Sequence, residues 1–311
     1  MSELLSQSES ERFIADHYGP RASSLEPIAA GEWSRPYALT LDGQEAVVRF
    51  GIHGEDFAKD QVMGQMSAAN LPIPKVIELG VTPGGYFVVS ERVHGTLIDD
   101  LDGPGMKAAL PALLTALDAI RDIDVSDRTG FGGWNSEGVA PHHTWQDALL
   151  SRANDRPGDR THGWRAALES SPTGAKPFDI AFARFKDLVD QMPSERHIIH
   201  NDLLSHNALV DGDRVSAIID WGNSMYGDYL YDAAWLTYWW RWYPKWADID
   251  IRAELVKHWE QTGNLPANFE ERLRCYEIHI GLDAQAYNAF TNRWDELQSN
   301  AERTLELSSP Q

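Results

Sequence analysis

The chain has 311 residues, 42% hydrophobic and 24% charged, with a formal net charge of −20, the balance of a soluble globular protein long enough for one large domain or two lobes. The charge argues against nucleic-acid partners, which demand basic surfaces, and no apolar run reaches the ~18 residues of a membrane span. Cys275 stands alone, so no internal disulfide can form and a cysteine-based zinc site is not expected. The polar, acidic start over residues 1–12 lacks the basic region and apolar core of a secretory signal, so a cytoplasmic protein is expected, as a monomer or weak dimer.

In chain order, residues 2–18 read as a short helix with Leu5, Phe13 and Ile14 available for packing. Strand-like runs follow at 25–30, 37–41 and 46–50, joined by Gly31 and by the hairpin signal Asp42-Gly43. Phe57, Val62, Met63 and Met66 lie near helical spacing in 55–69, and Pro72 and Pro74 stop that helix. Two further strands, 76–79 and 86–90, flank the turn at Pro83-Gly84-Gly85. Together these predict a five-stranded antiparallel sheet with one inserted helix.

Around residues 91–95 the pattern changes, and helices are predicted over 107–123, 144–154, 178–191, 229–243, 251–262, 270–291 and 294–307. Two short strands interrupt them. The stretch 154–176, rich in Pro, Gly, Asp and Ser, reads as an exposed loop with a brief helical piece. The expected class is α+β and bilobal: residues 1–93 form a sheet lobe that ends at the start of a hinge, and residues 94–311 form a larger, mainly helical lobe.

The densest chemical signal is Ile198-Ile199-His200-Asn201-Asp202-Leu203-Leu204-Ser205-His206-Asn207, followed after a turn at Asp211-Gly212-Asp213 by Ile218-Ile219-Asp220-Trp221. A lone Asp-x4-Asn is more often a cap or a turn. The second apolar-apolar-Asp, at the distance of a strand pair, tips the reading toward phosphoryl transfer. Asp202 then accepts the proton of an attacking hydroxyl, and Asn207 and Asp220 supply oxygens for Mg²⁺ on the nucleotide phosphates.

With these motifs the chain resembles the aminoglycoside phosphotransferase family, which shares the protein-kinase fold, and within it the hygromycin B phosphotransferases. Gly31-Glu32-Trp33-Ser34-Arg35, Leu71-Pro72-Ile73-Pro74, Thr129-Gly130-Phe131-Gly132, Thr144-Trp145, Met225-Tyr226-Gly227-Asp228 and Ile280-Gly281-Leu282-Asp283 carry the likeness across most of the chain. It implies a protein-kinase-like fold in which the first of these segments faces the triphosphate, with Ser34 donating one hydrogen bond. Arg49 stands in Val47-Val48-Arg49 where kinases carry a lysine; its counter-ion is expected to be Asp60 on the next helix, while Glu55 and Asp56 complement the helix dipole. Glu91-Arg92-Val93 becomes the hinge, where main-chain groups of Glu91 and Val93 meet the base edge.

The resemblance makes His200 a structural histidine. Asp232 either braces the catalytic loop or caps a helix. Asp228 is assigned to the acceptor side, with a helix cap as the equal alternative. Asp283 is the preferred acid for substrate ammonium groups, because an acid is costly in its apolar setting. The aromatic run from Trp235 to Tyr243 reads as buried helix packing, with sugar stacking as the alternative. The implied activity is Mg²⁺-dependent transfer of the γ-phosphate of ATP (GTP possible) to a hydroxyl of an aminoglycoside or aminocyclitol antibiotic, most closely hygromycin B. A small cationic acceptor suits the acidic surface. The alternatives are a kinase of a cellular sugar or amino alcohol, and a non-catalytic nucleotide-binding protein of the same shape.

Overall fold

The computed structural model describes residues 4–28, 31, 33–204 and 206–309. A capping box opens α1 (Gln7–Tyr18): the Ser6 hydroxyl accepts the Glu9 N–H while the Glu9 carboxylate accepts the Ser6 N–H. The helix buries Ile14 and Tyr18 in a small core shared with a sheet. That sheet contains β1 (Glu26–Pro27), β2 (Ser34–Leu41), β3 (Gln44–Gly51), β4 (Val76–Thr82) and β5 (Gly85–Glu91), all antiparallel in the order β1-β2-β3-β5-β4. Asp42 and Gly43 both adopt positive φ at the β2–β3 hairpin, the backbone such a two-residue turn requires. β1 covers only two residues of the predicted run 25–30; Ala29 and Ala30 lie outside the described residues, as does Glu32 of the nucleotide loop.

α2 (Gly54–Gly64) is the inserted helix. It ends earlier than the predicted 69 because the chain folds into a tight bridge in which Ala68 and Leu71 exchange main-chain hydrogen bonds ahead of Pro72. Met63 of α2 belongs to the large core of the second lobe, so this helix spans the junction.

The second lobe begins with β6 (Thr96–Leu97), α3 (Gly103–Arg121), β7 (Gly132–Gly133), α4 (Trp145–Ser151), α5 (Trp164–Ser170) and α6 (Lys176–Val189). β8 (His197–Ile199), β9 (Ala208–Asp211), β10 (Arg214–Ile218) and β11 (Met225–Gly227) carry the catalytic motifs. They form two three-stranded sheets, β10-β9-β6 and β7-β11-β8. α7 (Leu230–Trp239), α8 (Ile251–Thr262), α9 (Phe269–Phe290) and α10 (Trp294–Ser308) complete the lobe. The predicted helix 229–243 stops at Trp239 and continues as 3₁₀ turns, Trp240–Trp242 and Pro244–Trp246, since Pro244 cannot extend an α-helix.

α9 lies at the centre, buried along most of its circumference, with Trp145, Tyr231, Tyr238 and Tyr276 fully buried in the same core. The aromatic run divides. Tyr238 and Trp240 are buried, while Trp235, Trp239 and Trp242 are half-buried, with Trp239 tilted against each of the other two at 5.8 and 5.2 Å. Among the described residues, no helix is long and apolar enough to cross a membrane.

Candidate active site

The loop between β8 and β9 is held from below by one carboxylate. Asp232, buried at the start of α7, accepts the N–H of His200 and the N–H of Asn201, each at 2.8 Å. Asn201 adopts φ 61°, a left-handed conformation that asparagine tolerates well. The His200 ring is fully buried, donates Nε2–H to the Ile219 carbonyl at 3.0 Å, and so ties this loop to the segment that carries Asp220. Burial lowers its pKa to about 4, which keeps the imidazole neutral and in the tautomer that this bond needs.

Asp202 stands at the turn of the loop, partly buried, with Oδ2 accepting the Asn223 amide at 3.3 Å. Burial pushes its pKa well above the usual carboxylate range, and the nearby Asp220 charge adds to that, against the hydrogen bonds from Asn223 and Asn207. A carboxylate raised in this way is a stronger proton acceptor than an exposed one. Asn207 is buried, and its Nδ2 donates to the Asp202 carbonyl at 2.7 Å, which leaves its amide oxygen as an acceptor. Between them Ser205 lies outside the described residues. His206, at φ 72°, gives its N–H to Asp99 at 2.6 Å.

Asp220 follows β10 at φ 62°, with its side chain 51% exposed. Its Oδ1 lies 3.5 Å from Nη1 of Arg49. Arg49 projects from β3, pairs with Asp60 of α2, and stacks over Phe57 at 5.2 Å. Asp60 in turn accepts the Trp221 N–H at 2.8 Å. Burial opposes the Arg49 charge, but Asp60, Asp220 and Asp56 outweigh it and raise the guanidinium pKa. Burial also raises the Asp60 carboxyl, against the pull of Arg49. The structure therefore brings Asp202, Asn207, Asp220, Arg49 and Asp60 into one network across the junction of sheet and helices.

Ser34 is the first residue of β2, half-buried and opposite Gly51. Glu91 ends β5. Its N–H donates to the Lys75 carbonyl at 3.0 Å and its carboxylate accepts the Lys75 N–H at 3.3 Å, so the side chain is engaged with the sheet. Half-buried Val93 follows, before β6 joins the second lobe's sheet.

The acceptor-side acids part company. Asp228 is fully buried and accepts Arg272 Nε at 2.9 Å, Arg272 Nη2 at 2.6 Å, the Tyr276 hydroxyl at 2.5 Å and the Leu230 N–H at 3.1 Å. Its buried carboxylate is taken up by four donors, one of them the Leu230 N–H, so of the two alternatives the geometry favours the helix cap over the acceptor side: Asp228 anchors the start of α7 to α9. Asp283, on α9, is 27% exposed and paired with Arg152 beside a small cavity lined by Phe178, Phe182 and Phe185.

Three residues were not read from the sequence. Asn223 is the amide partner of Asp202, Asp99 supports the loop at His206, and Lys59 reaches from α2 to the segment after Asp220. Asn223 could have been found from its place three residues after Asp220. Asp99 and Lys59 carry no local signal.

A sheet lobe with one inserted helix, set on a helical lobe with carboxylates at the junction, defines a phosphotransferase of protein-kinase-like fold that acts on hydroxyl acceptors. The chain belongs to the phosphotransferase enzyme family (APH), whose profile matches residues 24–271. It is 29% identical over 286 residues to the hygromycin-B 4-O-kinase of Escherichia coli, covering 91% of this chain and 79% of that one. The crystal structure of aminoglycoside phosphotransferase APH(4)-Ia superposes with a TM-score of 0.84 at 26% identity, over 97% of this chain and 98% of that one. A thermostable mutant of the same enzyme, in a ternary complex with AMP-PNP and hygromycin B, superposes at 0.82 and 26% identity, over 96% and 97% of the two chains. Aminoglycoside 2'-phosphotransferase-IIIa, at 14% identity and a TM-score of 0.69 over 98% and 99% of the two chains, shares the fold.

Proposed function

We propose that this chain transfers the γ-phosphate of ATP to a hydroxyl of hygromycin B or a close aminocyclitol relative, and so confers resistance to it. The observation that carries the reading is the joint setting of Asp202, Asn207 and Asp220: Asp202 is partly buried, its main-chain carbonyl accepts the Asn207 amide, and its carboxylate, raised by burial and by the nearby Asp220 charge, lies close to the exposed Asp220. The likeness to a hygromycin-B kinase over 91% of the chain supports the acceptor. The ternary complex of the structural relative supports an adenine nucleotide.

Hard oxygen donors suit Mg²⁺, and the amide oxygen of Asn207 with the open Asp220 carboxylate provides two of them. Asn207 and Asp220 would hold the ion, which when bound neutralises charge on the nucleotide phosphates. Arg49 and the Ser34 hydroxyl face the phosphates from the sheet lobe, and main-chain groups over Glu91–Val93 meet the base. This reading puts the lobe boundary at Val93, since β5 ends at Glu91 and the next strand, β6, pairs with β9 of the other lobe. Asp202 orients the acceptor hydroxyl and takes its proton as the oxygen attacks phosphorus. Asp283 and the −20 net charge favour a cationic acceptor approaching the cytoplasmic enzyme.

The test is nucleotide consumption by purified protein with Mg²⁺, using ATP and GTP, with and without hygromycin B, and mass spectrometry of the drug. One added phosphate, lost in Asp202→Asn, is the expected result. Nucleotide turnover without drug modification would move the acceptor to other aminoglycosides or to a cellular sugar or amino alcohol. No metal-dependent turnover with any acceptor would leave only a nucleotide-binding protein.

A further inference from the structure

Lys59 is a buried lysine that the reaction scheme above does not use. It sits on α2 beside Asp60, 6% exposed, and forms no ion pair among the described residues. Its ammonium instead donates to two main-chain carbonyls, Gly222 at 2.8 Å and Ser224 at 3.0 Å. A third side faces the Trp134 ring at 5.3 Å, and that ring stacks on Tyr226 of β11. An ammonium has three N–H donors, and this site offers three acceptors: two carbonyl oxygens and an aromatic face. Burial lowers its pKa to about 8, so it remains mostly charged at neutral pH.

The two carbonyls flank a single residue, Asn223. Its side-chain amide donates to Asp202 Oδ2 at 3.3 Å, and its own carbonyl accepts the Asn201 side chain at 3.2 Å. Gly222 lets the segment lie flat on α2, since a Cβ there would come within 2.8 Å of the Asp56 Cβ. A bidentate pair between Arg160 and Asp56, at 2.7 and 2.8 Å, fixes the same turn of α2 to the second lobe.

We infer that Lys59 is a positioning residue that clamps residues 222–224 onto α2 and thereby sets the amide of Asn223 against the Asp202 carboxylate. The inference rests on the assignment of Asp202 as base. It assigns α2 two distinct tasks on one turn: Asp60 holds Arg49 and the Trp221 N–H, and Lys59 fixes the orientation of the base.

Hydrogen exchange in the full-length protein tests the clamp without any acceptor. In Lys59→Met, amides in the peptide covering 219–226 should exchange about tenfold faster, a local loss on the scale of one charge-assisted hydrogen bond, while α9 exchanges as in the parent. Unchanged protection in 219–226 overturns the inference. Lys59→Gln, which keeps a donor for one carbonyl, should fall between the two and serves if the methionine variant fails to fold. The catalytic arm is a double-mutant cycle. Lys59→Met should lower kcat by up to about 10²-fold with the KM for hygromycin B nearly unchanged, as expected for a misplaced catalytic group. In an Asn223→Ala background the same change should add little. Additive losses, or a loss seen only in KM, would refute action through Asn223. A parent protein that phosphorylates no acceptor would sink the functional reading alone, with the exchange result still deciding the clamp.

Discussion

Asp60 of α2 accepts the main-chain N–H of Trp221 at 2.8 Å. Its other oxygen holds Arg49, so a single carboxylate sets the sheet-lobe cation and the residue after Asp220 in register. Neutralising it in Asp60→Asn keeps the shape but leaves Arg49 with Asp220 as its remaining close counter-ion. Arg49 should then compete with Mg²⁺ for Asp220. The Mg²⁺ concentration for half-maximal rate should rise about tenfold, equivalent to about 1.4 kcal/mol. A Mg²⁺ titration equal to that of the parent would show that the pair has no part in metal or phosphate placement.

Asp202→Asn keeps volume and hydrogen-bonding capacity and removes the proton acceptor. Turnover should fall ~10²–10⁴-fold with the fold intact. Circular dichroism and a thermal midpoint close to the parent's would show that folding survives. Unchanged kcat would remove Asp202 from the role of base.

Two buried histidines give the fold an acid limit. His279 accepts the Tyr231 hydroxyl at Nδ1 (2.8 Å) and donates Nε2–H to the Leu149 carbonyl (3.1 Å), which is possible only for the neutral ring. Burial lowers both His200 and His279 to about 4, below the ordinary value of 6.5. Below 6.5 these two histidines bind protons in the unfolded chain that they do not bind in the folded one, so their contribution to stability is complete above that pH and declines as pH falls toward 4. Each ring contributes at most about 3 kcal/mol to that loss. The thermal midpoint of His279→Gln should fall less steeply between pH 6.5 and 4 than that of the parent. A parallel pH dependence would remove His279 as a source of acid sensitivity.

The parts legible in sequence were those whose chemistry is local. Asp202, Asn207 and Asp220 stand in short motifs between apolar runs, and the sheet lobe follows from alternation and turn residues that neighbour each other in the chain. β6, β7 and β11 have two or three residues each, too few to show alternation, and they exist because strands from distant parts of the chain pair with them. Lys59 meets carbonyls 163 and 165 residues away, and Asp99 meets His206 across 107, so nothing near either residue announces its role. Asp228, read equally as an acceptor-side acid or a helix cap, could not be decided for the same reason. Gly227-Asp228-Tyr229 looks like an open loop acid until α9 brings Arg272 and Tyr276 onto it.

The different settings of Asp228 and Asp283 separate the two acids by experiment. Asp228 is fully buried against Arg272, so Asp228→Asn leaves the guanidinium with only the more distant, exposed Glu195 at 3.9 Å and should cost about 3–5 kcal/mol of stability. In the protein that still folds, the KM for an acceptor should be close to the parent's, because no part of Asp228 reaches the surface. Asp283 is partly exposed and its partner Arg152 is 54% exposed, so solvent screens that pair and Asp283→Asn should cost less than about 1 kcal/mol. If Asp283 meets an ammonium group, the same change should raise the acceptor KM several-fold with kcat preserved, the signature of binding shared by ground and transition states. Denaturant melts and steady-state kinetics on both variants decide the matter. A stable Asp228→Asn protein with a raised acceptor KM would return Asp228 to the substrate surface, and an unchanged KM in Asp283→Asn would take Asp283 off it.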